Sequence, residues 1–323
     1  MTPPNPPTGE ETLPLAVLGE CVADAFVSSG EADALNLEVL PGGGPANTAV
    51  ALARLGTPTR FLGRLSRDVF GRLFHDHLAK SGVDLDGTVT ASQTSTLAVA
   101  SLSPQGAADY SFYADGAADW QWTAQELAEA TRPRVAALHT GSLALVRPPG
   151  GALVEQALLR IRERATVSLD PNVRPLLVDP SVYRERLHRW CELTDILRLS
   201  DDDLAHLWPG GASETQLHAA ADHFHRLGAP LVVITLGGDG VLASLRGSRL
   251  RVEAPRTEVV DTVGAGDSFM AGLLDALHRS GELGGRLDGL EEATLREALA
   301  HGTRVAALTV SVRGANPPWR HQL

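Results

Sequence analysis

Apolar positions along this chain follow two rhythms. Short apolar runs bounded by turn residues alternate with longer stretches in which apolar residues recur every third or fourth position. The first rhythm predicts buried strands and the second amphipathic helices. Core strands are expected at Leu15–Leu18, Arg60–Gly63, Val135–His139, Thr166–Leu169, Ile196–Leu199, Leu231–Thr235 and Val241–Leu245. Strands that alternate with helices argue for an α/β fold, with a parallel sheet covered on both faces. Residues 22–39 and 94–113 depart from this and read as strands and turns, with alternation from Thr96 to Leu102. By pattern alone they are two surface hairpins. No internal repeat is apparent. Residues 1–14 are Pro-rich, lack the basic start and apolar stretch of a signal peptide, and read as a disordered tail.

Chemistry enters with one segment. An alternating, strand-like run from Leu250 to Val260 leads into Asp261-Thr262-Val263-Gly264-Ala265-Gly266-Asp267-Ser268-Phe269, and a helical run starts at Phe269. Strand, glycine turn and helix start aim several backbone N–H groups at one point. Donors in the first turn of a helix lack intrahelical partners, and the helix dipole adds partial positive charge. The result is an anion site suited to a phosphate. Gly264 and Gly266 let a ligand approach the backbone closely. Asp267 would repel a phosphate, so a pure phosphate loop would avoid it. A phosphotransferase has a use for it, because some group must accept the proton of the attacking hydroxyl. The plainer reading is an acidic residue favoured by the helix dipole.

A second glycine turn runs into a helical pattern at Pro41-Gly42-Gly43-Gly44-Pro45-Ala46-Asn47, ending near Gly56. Gly43, Gly44 and Asn47 can offer short polar contacts to sugar hydroxyls; taken alone, the segment reads as a loop and a helix ended by Gly56.

Composition narrows the choices. The net charge of −11 argues against nucleic acid as a partner. The two cysteines, Cys21 and Cys191, form no spacing motif, which makes the cytoplasm the default compartment. No apolar run reaches the roughly 18 residues that span a membrane. Lys80 is the sole lysine, and neither a P-loop nor an H-R-D loop is present. Charge stabilisation in a kinase built from this chain would come from backbone amides, magnesium and Arg174. His218, Asp222 and His225 share a helical face, which reads as a solvated polar face rather than a metal site.

The stretch Asp261–Phe269 resembles the D-T-x-G-A-G-D-x-F signature of the ribokinase-like, or PfkB, family of carbohydrate kinases, with every fixed position met. The Gly43–Asn47 turn is similar to that family's sugar-binding signature in the form closest to its fructokinase branch. Further similarity runs through nearly the whole chain: Ala16–Glu20, Phe112–Asp119, Ser168–Arg174, Leu197–Asp203, Val232–Gly240 and Arg313–Pro317. The resemblance implies a three-layer α/β/α core with a mostly parallel sheet, made of residues 15–21, 40–93 and 114–323. A small β-sheet lid of residues 22–39 and 94–113 would cover the sugar. It implies ATP and Mg2+ as cofactors and transfer of the ATP γ-phosphate to a primary hydroxyl of a small sugar, D-fructose first. Asp24, Gly43, Gly44, Asn47, Tyr113 and Arg174 would bind the sugar, and Ser200, Thr235, Gly237 and Gly240 the nucleotide. Asp267 would act as base, with the amides at Gly264, Ala265 and Gly266 stabilising the moving phosphoryl group. Asp203 would reach magnesium through water, and carbonyls near Asp261, Val263 and Gly314 would take a monovalent cation, potassium. A homodimer through the lid is a further expectation.

Four positions depart from the family pattern. Ser200 and Asp203 stand where the wider family has Asn and Glu, Arg198 where fructokinases often have Lys, and Ala114 where many have Arg. The last leaves the sugar's identity open. Alternatives of the same fold are kinases for 2-keto-3-deoxygluconate, ribose or a nucleoside. An alternative of another class is a catalytically silent sugar or nucleotide sensor, whose mark would be a lost Asp267 or a broken glycine turn.

Overall fold

The computed structural model describes residues 12–29, 34–102, 108–210 and 213–323. Most of the expected tail, and parts of the two irregular stretches, therefore lie outside the described residues. An eight-stranded sheet forms the centre. Its strands, in spatial order, are Ser248–Val252, Val241–Leu245, Leu231–Thr235, Ile196–Ser200, Thr166–Asp170, Ala137–Gly141, Leu15–Leu18 and Thr59–Leu62. All pair in parallel except the first two, which form an antiparallel edge.

Parallel strands covered on both faces are apolar throughout, and each face of this sheet has its own core. Leu15 and Val17 point into one, with Val50, Phe74, Met270, Leu273 and Leu295 from the helices Gly44–Arg54, Val69–Lys80, Ala265–Arg279 and Glu292–Val310. Ala16 and Leu18 point into the other, with Leu127, Leu158, Trp190 and Phe224 from Ala124–Ala130, Gly150–Ile161, Pro180–Leu193 and Glu214–Arg226. This is the three-layer α/β fold expected. Among the described residues no helix is long and apolar enough to cross a membrane.

A separate four-stranded sheet has the order Leu35–Gly42, Val22–Ser29, Thr96–Leu102, Ala108–Tyr113. Its central pair is parallel and its outer pairs are antiparallel. In register across it, Asp24 lies beside Ala98 and Ala98 beside Phe112.

Two expectations shift. The strand-like run before the glycine turn is a strand only as far as Val252; residues 253–260 lie in no strand. Pro255 lacks the N–H that a ladder needs, and Val259 and Val260 are exposed, so the alternation there faces no core. The Val135–His139 strand is found at Ala137–Gly141, where Gly141 pairs with Asp170. A Cβ on Gly141 would collide with the Asp170 carbonyl, so only glycine ends the strand there.

Candidate active site

A cavity of about 620 Å3 opens at the carboxyl ends of the parallel strands, beneath the small sheet. This is where open α/β sheets receive ligands, because loops and helix N-termini converge there. Two helix starts meet in it. Gly43 caps the Gly44–Arg54 helix with φ +103°, and Gly264 caps the Ala265–Arg279 helix with φ +77°. Both values favour glycine. The second helix therefore begins four residues earlier than its apolar run suggests, and Asp267 falls in its first turn.

The two turns are joined by a side-chain bond: Asn47 Nδ2 donates to Asp267 Oδ2 at 2.9 Å. Gly44 lets them come together, since a Cβ there would lie 2.7 Å from Asn172 Nδ2 and 3.2 Å from Asp267 Oδ1. Asp267 is half-buried at the cavity floor. Burial raises its pKa, while the Asn47 bond and the charges of Arg174 and Arg198 pull it back. Of the three amides in the turn, that of Ala265 is engaged by the Thr262 carbonyl at 3.2 Å. Those of Gly266 and Asp267 donate to no backbone carbonyl among the described residues, so they are the donors left for an anion.

Beneath this turn lies a fixed cation. The Arg198 guanidinium donates to Asp170 Oδ2 at 2.6 Å and to Thr235 Oγ1 at 2.6 Å. Both ends of the Arg198–Asp170 pair are 6% exposed. Burial opposes the charge on Arg198, but the carboxylates of Asp170 and Asp203 outweigh it and raise its pKa. A Cβ on Gly266 would lie 2.6 Å from an Arg198 nitrogen, so the guanidinium packs against the turn's backbone.

The opposite wall comes from the small sheet and the end of the first strand. Asp24, Ala98 and Phe112 face the cavity from neighbouring strands. Burial pushes the Asp24 carboxyl up to about 6, against the charge of Arg174. Glu20, 2% exposed, is pushed up to about 7 by burial, and its bond to Ser142 moderates the rise. Ser142 holds φ +55°, a conformation rare for a residue with a side chain.

The cavity gathers Asp24, Gly43, Gly44, Asn47, Arg174, Ser200, Asp203, Val263, Gly264, Ala265, Gly266 and Asp267. Other expected residues lie elsewhere. Tyr113 is 63% exposed and lines a neighbouring cleft with Phe70 and Ala114 but not the cavity; Phe112, one residue earlier on the strand, borders both. Thr235 reaches the site only through Arg198, while Gly237 and Gly240 shape the turn beyond it at φ +52° and +87°. Asp261 accepts from the amides of Val263 at 3.0 Å and Gly314 at 2.9 Å, bringing those three together beside the turn. Asp203 is buried and takes three donors: the Ser200 amide and hydroxyl on Oδ2, at 2.9 and 2.6 Å, and the Val173 amide on Oδ1 at 2.6 Å. It thus caps the helix Asp201–Leu207 and ties it to the Asp170–Arg174 segment. No group of three His, Cys, Asp or Glu residues suited to a metal occurs among the described residues. The His218–His225 face is taken up by Arg249, which contacts His218 and Asp222.

Glu20, Phe112, Asn172 and Ser142 escaped the sequence reading as site residues. Asn172, Glu20 and Phe112 lie inside the family-like segments Ser168–Arg174, Ala16–Glu20 and Phe112–Asp119, which were their signal; Ser142 is brought in by a turn that no local pattern reveals.

The fold and site together define an α/β phosphotransferase framework. The pfkB family carbohydrate kinase model matches residues 14–322, and the chain belongs to that family. It is 35% identical over 305 residues to a fructokinase of Klebsiella pneumoniae, covering 93% of this chain and 94% of the relative. A fructokinase with bound ATP from Xylella fastidiosa superposes with a TM-score of 0.82 at 27% identity, over 93% of each chain. A fructokinase from Vibrio cholerae O395 in its fructose-, ADP- and calcium-bound form superposes with a TM-score of 0.78 at 27% identity, over 94% of each.

Proposed function

We propose that this chain is an ATP-dependent kinase that phosphorylates D-fructose at a primary hydroxyl. The observation that carries the reading is the Asn47–Asp267 bond at 2.9 Å, which sets one carboxylate between a sugar-side turn and an anion-side turn. Fructose would lie among Asp24, Gly43, Gly44, Asn47 and Arg174, with Phe112 and Ala98 against its apolar face. Residues 22–29, 35–42, 96–102 and 108–113 would act as a lid that excludes water, the competing acceptor. Tyr113 faces the neighbouring cleft and would not touch the sugar.

Asp267 would orient the hydroxyl and take its proton. In a loose transition state that transfer comes late, so a carboxylate is base enough. The Gly266 and Asp267 amides, with Arg198 below them, would stabilise charge on the phosphoryl oxygens, the kind of contribution that is usually largest. The donor set offers no carboxylate cage, so magnesium would be carried on the ATP phosphates, with Asp203 reaching it through water. Bound there, it neutralises charge on the β- and γ-oxygens. Thr235, Gly237 and Gly240 would flank the nucleotide. Potassium would fit the carbonyls of the segment that Asp261 holds together with Val263 and Gly314.

The test compares turnover per KM for fructose, ribose, 2-keto-3-deoxygluconate and adenosine at saturating MgATP. Fructose should lead. A rival ahead by about tenfold, a difference of about 1.4 kcal/mol, overturns fructose and leaves the kinase standing. No ATP consumption with any acceptor overturns both.

A further inference from the structure

We infer that Asp119 is a positioning residue: its carboxylate clamps the points where the chain crosses between the large and small sheets, and so holds Asp24 over the cavity. The chain makes four such crossings, at Cys21–Val22, Gly42–Gly43, Ser95–Thr96 and Tyr113–Ala114. The Cys21 amide donates to Asp119 Oδ1 at 3.0 Å, and the Thr96 hydroxyl donates to Oδ2 at 2.7 Å. Asp119 itself follows the fourth crossing, on the helical turn Ala118–Trp120. That turn is tied back by the Ala118 amide to Thr94 at 2.9 Å and by Trp120 Nε1 to the Ala114 carbonyl at 2.7 Å. One carboxylate therefore joins three of the four crossings.

Val22 and Thr96 are partners in the parallel register, so the clamp grips the roots of both central strands at one level. Two residues further along each strand stand Asp24 and Ala98, again paired, and both face the cavity. A small change of angle at the root is carried directly to them. Asp119 is 4% exposed and does not line the cavity; it acts through Cys21 and Thr96. Buried donors that lose their acceptor are costly, which makes the clamp stiff. Its geometry, rather than its charge, is what the arrangement uses. An Asn could accept from the Cys21 amide and donate to the Thr96 hydroxyl, which is both donor and acceptor.

The link to sugar binding rests on the function proposed above, so the test has one readout that does not. Asp119→Ala and Asp119→Asn are compared in the full chain. Under the inference, Asp119→Ala speeds hydrogen exchange of amides in residues 22–26 and 96–100 about tenfold or more, with residues 137–141 and 166–170 unchanged. It also raises the KM for fructose about tenfold, leaving kcat and the KM for ATP within about threefold. Asp119→Asn returns both readouts to near wild type. Wild-type exchange in both strands of Asp119→Ala overturns the clamp. So does faster exchange throughout the chain, or an Asn variant as impaired as the Ala variant. If Asp119→Ala does not fold, Thr96→Val removes one of the two bonds, and unchanged exchange in residues 96–100 again overturns it. Should wild type not turn over fructose, the exchange result still decides the clamp, and the failure falls on the proposed substrate.

Discussion

Asp267 is held by Asn47, raised in pKa by burial and opposed by two arginines. As a base it should matter to rate far more than to binding. Asp267→Asn keeps an oxygen to accept from Asn47 and removes the proton acceptor. We expect kcat to fall by about 10²–10⁴-fold, the usual contribution of general base catalysis, with fructose and ATP affinities in calorimetry within a few-fold of wild type. Near-wild-type kcat would refute the role. Asp24 makes a different prediction. Its carboxyl rises from 3.8 to about 6 on folding, chiefly through burial. Between those pH values the folded state holds more of the proton than the unfolded state, so this group's contribution to stability falls as pH rises through the window. Above it, the ionised form costs the fold about 3 kcal/mol. Asp24→Asn should therefore raise the Tm of the ligand-free protein at pH 7.5 and barely change it at pH 4, while weakening fructose binding. Equal Tm differences at the two pH values would contradict the burial of this carboxylate. Asp24 came only from its place in the family resemblance, whereas Asp267 could be picked out from the sequence because it sits in a glycine turn with its own local geometry. Phe112 could not: which of Phe112 and Tyr113 faces the cavity depends on pairing with Ala98 and Asp24, a long-range register that neighbouring residues do not encode.

At the scale of elements, the helix Ala265–Arg279 is fixed on two sides. Its Gly272 packs against Gly302 of the helix Glu292–Val310, where a Cβ would lie 2.8 Å from the Gly302 Cα. Backbone cannot move aside as a side-chain end can, so Gly272→Val should overpack the contact and lower stability by about 1–3 kcal/mol in urea unfolding. A variant as stable as wild type would show that the two helices slide apart freely. At the helix start, a methyl on Gly266 would meet the Arg198 guanidinium at 2.6–3.0 Å. An arginine tip usually swings away, but this one is held by Asp170 and Thr235. Gly266→Ala should leave the fold intact by circular dichroism and lower kcat about tenfold or more through displaced amides. The strands at Leu15–Leu18, Leu231–Thr235 and Val241–Leu245 were legible because apolar runs bounded by turn residues have little else to become. The Leu250–Val260 alternation misled because most of it faces solvent, and burial cannot be read from alternation alone.

At the scale of the molecule, the small sheet leaves Phe26, Leu35, Leu37, Tyr110 and Tyr113 more than a third exposed. The register places Phe26 and Tyr110 on the face of Asp24 and Ala98, and Leu35, Leu37 and Tyr113 on the opposite face. Large apolar side chains exposed together on one such outer face are a common mark of an interaction surface. With the expected homodimer through this sheet, Leu37→Glu should shift the mass measured by light scattering from dimer to monomer. A wild-type monomer at micromolar concentration would overturn the homodimer.

The four crossings between the sheets also bear on inheritance. Asp267, its amides and Arg198 belong wholly to the large sheet and its helices; Asp24, Ala98 and Phe112 belong to the small one. Few covalent links and one buried carboxylate join the two groups. Under the proposed function, the strands Val22–Ser29, Leu35–Gly42, Thr96–Leu102 and Ala108–Tyr113 can be exchanged together as a cassette, provided the graft keeps acceptors for the Cys21 amide and the Thr96 hydroxyl. Substrate preference would then be able to drift from one lineage to another while the phosphoryl-transfer apparatus stays as it was.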